Sequence, residues 1–466
     1  MSQFKPSLQP VAVVLPAAPA ILVAEVPAPK VTVKTYVDPA KKVAFALLAI
    51  FVFLLFGRLT DLYFWYLHLP LIFSVSCLLF VPFSGNVSST LSSRIGKSLL
   101  LLTVWFFAAV PLSFWRADSL DLLTNIWLKS LMTFVLIGCL TFSLDQTMHL
   151  IRIIACSLLL TAVMALTHGV VFDGRLFLPQ GLYSGPNEVA GAMVLGCIYW
   201  WFIVHDPASS TLRKALGFPV MVFMLYVMGK TGSRAALVAL AVVAVAVFRR
   251  YSAGQRIIFL VIVALLGLGS LVFVPDSLRS RYYTFLSVDQ QEDFSSAAEF
   301  TTQMQAIGST SARLYYLRTS LMLTLKNPIF GVGPNQFASL EHVVAVERGA
   351  LKGKWQGTHN SFTQVSSEAG IPALAFYIAC LVFCWKDLTA VERGLAPFRD
   401  LRARSVKTAA RTLRLALLCY MVFNCFEHVA YSHFLPSLAG LIVAFSRGVR
   451  QEYPIAYGIV PDSPAA

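Results

Sequence analysis

The stretch VAFALLAIFVFLLFG, residues 43–57, contains no charged side chain, and apolar runs of 15–23 residues like it recur along the chain. A run of this length can cross the hydrocarbon core of a bilayer as a helix. Of the 466 residues, 57% are hydrophobic and 13% are charged, whereas roughly a quarter are charged in soluble domains. The sequence therefore predicts an all-α polytopic membrane protein.

The apolar runs predict about twelve transmembrane helices. A long polar segment between the ninth and tenth runs, residues 276–362, is predicted to be one long loop that contains short helices. The predicted spans lie near residues 43–57, 62–83, 98–115, 126–144, 149–171, 188–204, 215–229, 234–248, 257–275, 363–385, 414–430 and 434–446.

The distribution of Lys and Arg determines the predicted orientation. If the N-terminus is cytoplasmic, cytoplasmic segments hold 23 of the 37 Lys and Arg residues, and the short outward loops hold five. This bias follows the positive-inside rule, places both termini in the cytoplasm and turns the 276–362 loop outward. Anionic lipid at the cytoplasmic face then accounts for the net charge of +14, which requires no nucleic-acid partner.

Five segments follow from this map. Residues 1–42, with seven prolines among Ala and Val, are predicted to be a disordered cytoplasmic tail. Residues 43–275 form an N-terminal helix bundle, 276–362 the outward loop, 363–450 the C-terminal transmembrane helices and 451–466 a second cytoplasmic tail. All eight cysteines fall in predicted spans without zinc-site spacing, which favours a packing role for them.

The polar residues that could carry chemistry fall on the outward side of this map. A single outward-facing site is therefore expected, rather than a channel through the membrane. These residues are Arg175, the stretch Gly185-Pro186-Asn187-Glu188, Lys230, Arg234, Arg313 and His359.

A short outward turn, Gly229–Ser233, leads into a predicted helix with Ser233 as its N-cap. Arg234 opens that helix, and a helix N-terminus attracts anions because its free N–H groups and the helix dipole are positive there. Lys230 and Arg234 would strengthen such a phosphate site. Their spacing is equally typical of cations that snorkel to a membrane interface, so both interpretations stay open at this level.

Arg313 is predicted to lie in the first turn of an amphipathic helix capped by residues 309–311 and ended by Asn327-Pro328. Arg318 lies on a different face and is the less favoured candidate. On these residues alone, Arg313 is either a solvated surface charge or a ligand-binding group. The apolar stripe of the helix consists of Leu314, Leu317, Leu321 and Leu325.

Gly331-Val332-Gly333-Pro334 resembles a phosphate-binding loop only superficially. It lacks the full sequence of such a loop, and its segment is predicted to face away from cytoplasmic nucleotides. The stretch is interpreted as a tight turn that lets the loop pack closely.

His359 closes the long loop. Ser361-Phe362-Thr363-Gln364 matches a capping box, so a helix is predicted to begin at Ser361, with His359 just before its N-cap. The helix dipole disfavours an imidazolium there and should lower the pKa of His359. Since a neutral imidazole can take a proton from an attacking hydroxyl near pH 7, His359 is the candidate general base, with a purely structural role as the alternative.

Glu368 lies two turns into the same predicted helix, where an unpaired carboxylate would be costly. It is therefore either the partner of an arginine or the centre of a hydrogen-bond network. Glu427 and His428, near another outward helix end, and His433 beyond them are weaker candidates for the site.

Several of these features, in this order, resemble the Wzy-type O-antigen ligase/polymerase superfamily. The resemblance covers residues 170–385, and it departs from the family at the loop arginine, where Tyr315 or Tyr316 stands for the usual aromatic residue. The features are Arg175 with residues 185–188, Gly232-Ser233-Arg234, Arg313, Pro328-Ile329-Phe330-Gly331-Val332-Gly333, and the pattern HNxFxxxxxExG from His359 to Gly370.

This resemblance implies a GT-C-like glycosyltransferase of the bacterial inner membrane that needs no metal and no cofactor. Its donor would be a glycan linked to polyprenyl diphosphate, and its acceptor a periplasmic hydroxyl on lipid A-core or on a growing polysaccharide. Cationic side chains would stabilise the charge that develops on the leaving diphosphate. The implied catalytic residues are His359, Arg234 and Arg313, and the implied substrate-binding residues are Lys230, Arg175, Asn187 and Glu368.

An O-antigen ligase is the favoured member of this superfamily, and an O-antigen or exopolysaccharide polymerase shares the same donor chemistry. A transporter or flippase for lipid-linked glycan is the alternative from a different class. It would place ionisable residues near the bilayer midplane with access from both sides, whereas the candidate residues here cluster on one side.

Overall fold

The computed structural model describes residues 38–273, 297–347 and 356–457. Most of these residues lie in helices, and within these ranges seven helices are long and apolar enough to cross a membrane. The helical, polytopic architecture is therefore confirmed. The seven are Pro39–Gly57, Arg94–Leu112, Arg116–Leu140, Leu144–His168, Pro186–His205, Thr211–Lys230 and Ser361–Gly394.

The elements follow one another closely, with short 3-10 turns at Trp65–Leu67, Pro82–Ser84, Val110–Leu112 and Pro454–Tyr457 and a π-helical turn at Leu123–Trp127. Before residue 274 they are α1 (Pro39–Gly57), α2 (Leu59–Leu62), α3 (Leu69–Leu78), α4 (Val87–Leu91), α5 (Arg94–Ala109), α6 (Arg116–Leu122), α7 (Leu128–Leu140), α8 (Leu144–His168), β1 (Val170–Phe172), β2 (Arg175–Phe177), α9 (Pro186–His205), α10 (Thr211–Lys230), α11 (Arg234–Phe248) and α12 (Ala253–Phe273). After it they are α13 (Ala297–Lys326), α14 (Phe337–Glu347), α15 (Ser361–Gly394), α16 (Leu401–Phe423) and α17 (Phe434–Glu452).

The two predicted tails fall largely outside the described residues. At the described edge of the first tail, Asp38 caps α1 by accepting a hydrogen bond from the Ala40 N–H (3.0 Å). The first helix therefore begins at Pro39 rather than at residue 43.

The predicted count of twelve spans is not confirmed, although every predicted span overlaps a helix. The span predicted at 62–83 is wrong as a continuous helix. The backbone breaks at His68, which has a φ of 46°, and α3 is only ten residues long. Pro70 opens α3 and Pro82 begins a separate turn, because proline lacks the N–H that a helix interior needs.

The chain is not purely helical. Strands β1 and β2 pair antiparallel, Phe172 opposite Arg175, around a turn in which Asp173 and Gly174 have φ values of 50° and 70°. Helix α8 accordingly ends at His168, before the end of the predicted span 149–171. Both turn residues need positive φ, which an Asp-Gly pair accommodates.

The helices around α9 form the centre of the bundle. Helix α9 packs against α8, α10, α11 and α16, and α11 packs in turn against α16. Helix α15 packs against α5, α13 and α16. Because lipid tails are as apolar as the side chains they touch, such contacts stabilise the bundle mainly through close packing.

A kink divides α15. Gly370 has a φ of 84°, and Pro372 has no N–H to offer the carbonyl of Glu368 one turn earlier. The N–H of Ile371 donates instead to the carbonyl of Pro328 (2.7 Å). The kink therefore leaves two carbonyls of the first half of α15 available to another segment.

The turn between α13 and α14 takes up these carbonyls. Val332 and Gly333 donate their N–H groups to the carbonyls of Ser367 (2.9 Å) and Glu368 (2.8 Å). Gly331 has a φ of 66°, and a Cβ atom there would lie 2.3 Å from the carbonyl carbon of Glu368. The predicted tight, closely packed turn is therefore confirmed, and the two halves of the sequence motif bind each other.

Helix α13 differs from its prediction. It runs from Ala297 to Lys326, so residues 309–311 do not cap it and Arg313 lies in its second half rather than in its first turn. Ser and Thr are tolerated inside a helix, and no proline interrupts this stretch. The predicted stop at Asn327-Pro328 is confirmed.

Candidate functional site

A cavity of about 180 Å³ lies where the N-terminal ends of α9 and α11 meet β2, α13 and the segment before α15. We call it the arginine cavity. It brings together five of the seven predicted site residues, from four separate parts of the chain. It is lined by Arg175, Asn187, Gly232, Arg234, Ala312, Arg313, Tyr316, Gln356 and His359.

Arg234 is the first residue of α11, as predicted. Ser233 is the N-cap, and its hydroxyl accepts a hydrogen bond from the Ala236 N–H (3.4 Å). Gly232, with a φ of 62°, turns the chain into the helix beside the cavity. Because a helix N-terminus is already electropositive, the guanidinium of Arg234 adds to a local field that favours an anion.

Arg175 and Asn187 link the hairpin to the bundle. The Nε–H of Arg175 donates to the carbonyl of Thr231 (2.9 Å), and its Nη2 donates to Oδ1 of Asn187 (2.8 Å). The amide of Asn187 donates in turn to Oε1 of Glu427 (2.6 Å). These bonds fix Arg175 at one wall of the cavity and connect it, through Asn187, to Glu427.

Arg313 approaches the same carboxyl group from the opposite wall. Its Nη2 lies 3.6 Å from Oε1 of Glu427, and its side chain is 27% exposed. Tyr316, one turn later, is fully buried and lines the cavity, with its ring centroid 5.8 Å from that of His359. Arg318 is exposed on another face of α13 and is not part of the cavity wall.

Glu427 and His428 reach the site because α16 ends at Phe423, so the predicted span 414–430 is too long. The start of α15 holds the connecting segment: Ser361 donates its hydroxyl to the carbonyl of Glu427 (2.6 Å) and accepts from the Val429 N–H (2.9 Å). Both residues lie closer to the site than the sequence predicts, because the contacts of Ser361 with the segment after α16 bring them beside His359.

Helix α15 begins at Ser361, as predicted, but a different residue caps it. Oδ1 of Asn360 accepts hydrogen bonds from the N–H groups of Phe362 and Thr363, both at 3.0 Å. His359 precedes this cap and has a φ of 49°, a left-handed conformation that is unusual for a residue with a side chain. The cap and the turn together point the imidazole into the cavity.

The hydrogen bonding of His359 distinguishes its two ring nitrogens. Nε2 lies 3.2 Å from Oε1 of Gln356, an acceptor, so Nε2 carries the proton in this pairing. Nδ1 is buried and has no hydrogen-bond partner among the described residues. The lone pair of the neutral ring therefore belongs to the buried Nδ1.

Burial lowers the pKa of His359 to about 3, helped by the neighbouring His428 and Arg313. The two histidine rings lie 5.0 Å apart, edge to face. The direction of the shift agrees with the prediction, and its largest cause is burial, followed by His428 and Arg313. His359 is consequently a neutral imidazole at physiological pH.

Burial raises the pKa of Glu427 to about 8, and the nearby carboxylate of Glu188 adds to the shift. The attraction of Arg313 and Arg175 and the hydrogen bond from Asn187 act in the opposite direction. We attribute more weight to burial because the side chain is only 3% exposed, so Glu427 is largely protonated near neutral pH despite its contact with Arg313.

Glu368 lies outside the cavity wall, contrary to its predicted substrate-binding role. Its buried carboxylate accepts hydrogen bonds from the N–H groups of Asn335 (3.1 Å) and Phe337 (3.4 Å) and from the hydroxyl of Tyr431 (2.8 Å). It is therefore the hydrogen-bond centre that the sequence offered as an alternative. Its hydrogen bonds to the N–H groups of Asn335 and Phe337 hold the turn before α14, which explains its position in the motif.

Lys230 and His433 also lie away from the cavity wall. The ammonium of Lys230 sits 5.6 Å from the ring centroid of Tyr226, one turn earlier on α10. His433 is buried against Phe56 and Phe434, with ring centroids 5.5 and 4.7 Å away. In the structure, Lys230 therefore makes a cation–π contact and His433 packs in the core.

One group of side chains at the cavity could hold a metal ion. One ligand atom from each of His359, Glu427 and His428 lies within 4.8 Å of the others. Arg313 lies 3.6 Å from the same carboxyl group and would compete with a bound cation for it. The metal-free chemistry implied by the sequence resemblance thus stays a prediction that chelation can test.

The fold and the cavity together define a multi-pass membrane protein with a cationic, histidine-containing site. A family model described as O-Antigen ligase matches residues 219–378, a segment that contains Arg234, Arg313 and His359. The resemblance is thereby confirmed over that segment, and it indicates an enzyme of the ligase or polymerase type. No curated protein matches the sequence.

Proposed function

We propose that the protein transfers a glycan from a polyprenyl-diphosphate lipid to an acceptor hydroxyl at the periplasmic face of the bacterial inner membrane, most simply as an O-antigen ligase. The observation that carries this proposal is the meeting of Arg175, Arg234 and Arg313 with a neutral His359 at one cavity.

The arginines supply binding and charge stabilisation. When the bond between the anomeric carbon and the diphosphate breaks, negative charge grows on the leaving oxygen. A guanidinium binds phosphate oxygens with two parallel hydrogen bonds, and Arg234 adds the positive end of α11. Because Arg175 is already held by Thr231 and Asn187, little reorganisation is needed when the charge develops.

His359 supplies the proton acceptor. A group with a pKa of about 3 is a weak base in the empty site. A diphosphate between Arg234 and Arg313 would offset the cationic field that helps to lower this pKa, and so would raise it toward the ordinary value. Donor binding thus makes the imidazole of His359 a better acceptor of the hydroxyl proton, which couples the base to the presence of its substrate.

The orientation rests on the charges at the two ends of the bundle. Arg249, Arg250 and the cations of α16 lie at the end opposite the arginine cavity. The positive-inside rule assigns that basic end to the cytoplasm and hence the cavity to the periplasm. A pre-activated lipid donor suits this side, since nucleotide sugars are made in the cytoplasm.

The site favours a transferase over a flippase because its cations gather at one end of α9 and α11 rather than along a path between the two ends. A polymerase would use the same donor chemistry, so the acceptor decides between the two enzymes. We favour the ligase because the description of the matching family model is O-Antigen ligase.

The test is a transfer assay with purified protein in liposomes and a polyprenyl-diphosphate glycan, with lipid A-core or free glycan as acceptor. We expect glycan-capped lipid A-core and release of polyprenyl diphosphate, with the same rate when a chelator is present. Elongated free glycan alone would indicate the polymerase. Loss of activity on chelation, restored by a divalent metal, would instead assign His359, Glu427 and His428 to a metal site.

A further inference from the structure

A second cavity, of about 820 Å³, lies between the C-terminal ends of α9 and α11 and one face of α16. Helix α9 contributes Asn187 to the arginine cavity and His205 to this one. At 1.5 Å per residue, these two residues are about 27 Å apart along the helix. The two cavities therefore lie at opposite ends of the same helices, at a separation close to the thickness of a bilayer core.

Six cations line this second cavity, which we call the basic groove. Four of them recur every three or four residues of α16 and so share one helix face. Like charges at this spacing repel, so the cluster is costly unless an anion is present. The six are Arg249, Arg250, Arg404, Lys407, Arg411 and Arg414.

The carboxylates around the groove do not balance this charge. Glu392 accepts a hydrogen bond from Arg414 (2.7 Å) and lies 3.7 Å from Arg250. Arg404 and Arg411 are exposed and form no salt bridge with any residue that the structure describes. The groove thus keeps a positive excess, concentrated on the exposed face of α16.

The cationic end of the groove continues into an apolar end. Leu415 and Leu418 follow on the same face of α16, and the rings of Trp201 and Trp385 complete the wall. The indole N–H of Trp201 is buried without a hydrogen-bond partner among the described residues. Cations beside an apolar wall complement an amphiphile better than they complement a small ion.

We infer that the basic groove binds an anionic phospholipid of the surrounding bilayer, with its phosphate at Arg404 and Arg411 and an acyl chain along Leu415 and Leu418. Guanidinium groups suit the phosphodiester, and the leucines and tryptophans remove the chain from water. Basic pockets between transmembrane helices are typical sites for anionic headgroups. This binding is separate from the proposed transfer reaction, since it uses the other end of α9 and α11.

Native mass spectrometry of the purified full chain tests this inference, with phosphatidylglycerol and phosphatidylcholine as the two probes. We expect the wild type to retain phosphatidylglycerol preferentially, and the double variant Arg404→Gln/Arg411→Gln to lose roughly tenfold in that preference. The matched control is Arg213→Gln/Lys214→Gln, which removes two cations at the start of α10, at the same end of the bundle but outside the groove. The control should retain phosphatidylglycerol like the wild type.

Equal retention in the two double variants would overturn the inference. So would full displacement of the lipid by millimolar inorganic phosphate, because a small-anion site would not need the apolar wall. Thermal unfolding gives a second measurement: phosphatidylglycerol should raise the Tm of the wild type and the control but not that of the groove variant. A groove variant with an unchanged basal Tm in phosphatidylcholine shows that the difference is in binding rather than in folding.

Discussion

The arginine cavity and the basic groove are both lined by guanidinium groups, yet the groups are held differently. In the cavity, Arg175 is linked through Asn187 to the buried Glu427, and Arg313 contacts the same carboxyl group directly. In the groove, Arg404 and Arg411 are exposed and unpaired within the described chain. Fixed charges suit a reaction, because they need not reorganise as charge develops. An excess of exposed, unpaired charge suits the binding of an anionic headgroup. How the arginines are held, rather than their number, separates the two sites.

The comparison requires that the two ends lie on opposite sides of the membrane, and cysteine labelling gives an all-or-none answer. In a cysteine-free background, Ser184→Cys and Gln356→Cys should react with an impermeant reagent from the periplasm, and Ser252→Cys should not. All three positions are exposed, and Ser252 lies between α11 and α12 at the groove end. Periplasmic labelling of Ser252 would reverse the orientation and place the proposed reaction in the wrong compartment.

The next largest effect is expected at His359, the candidate base among the described residues at the cavity wall. His359→Ala should lower glycan transfer by roughly 10²–10⁴-fold while donor lipid still binds, since the arginines hold the diphosphate. His359→Gln should restore little, because an amide cannot take up a proton. The measurements are transfer rate and donor affinity in liposomes. Full activity of the Gln variant would leave His359 only an orienting role.

Arg234→Lys tests whether the cavity needs a guanidinium rather than a charge alone. An ammonium cannot form the paired hydrogen bonds to phosphate, so we expect transfer to fall about tenfold, or ~1.4 kcal/mol of transition-state stabilisation. Arg213→Lys, at the other end of the bundle, is the control and should leave transfer unchanged. Near-wild-type rates for both Arg234→Lys and Arg234→Ala would indicate that Arg234 only anchors the helix at the membrane interface.

The smallest effect concerns the proton on Glu427. Its folded-state pKa of about 8 lies above the ordinary value of 4.5, so the folded protein holds a proton that the unfolded chain has lost between these pH values. The contribution of Glu427 to stability should therefore fall as pH rises from 4.5 to 8. Glu427→Gln removes this dependence and should raise Tm by roughly 1–3 °C at pH 9 relative to the wild type, with little difference at pH 5. A Tm difference between Glu427→Gln and the wild type that does not grow from pH 5 to pH 9 would show that Arg313 keeps Glu427 ionised.

Local sequence patterns correctly predict three structural features around the site. The cap at Ser233, the helix from Ser361 and the turn at Gly331 depend on neighbouring residues, and all three are confirmed. The predicted span 149–171 does not include the hairpin, although Asp173-Gly174 between apolar residues is a strong hairpin signal. The length of an apolar run alone does not reveal such a turn, nor the break at His68 within the predicted span 62–83.

Long-range contacts account for what the sequence could not reveal. The partners of Glu368 come from α14 and from Tyr431, so its structural role depends on the docked turn rather than on its own helix. Likewise, Glu427 and His428 join the site only because Ser361 holds the segment after α16. Sequence spacing placed them near an outward helix end but not beside His359.

The most direct test of the central claim, that the arginine cavity holds the donor diphosphate, compares Arg313→Gln with Arg318→Gln in donor binding and transfer. Both substitutions remove one arginine from α13, but Arg313 lines the cavity and Arg318 is exposed on another face. We predict that Arg313→Gln weakens donor binding and lowers transfer by about 100-fold, and that Arg318→Gln stays within about twofold of the wild type. Equal losses in the two variants, or none in either, would contradict the account.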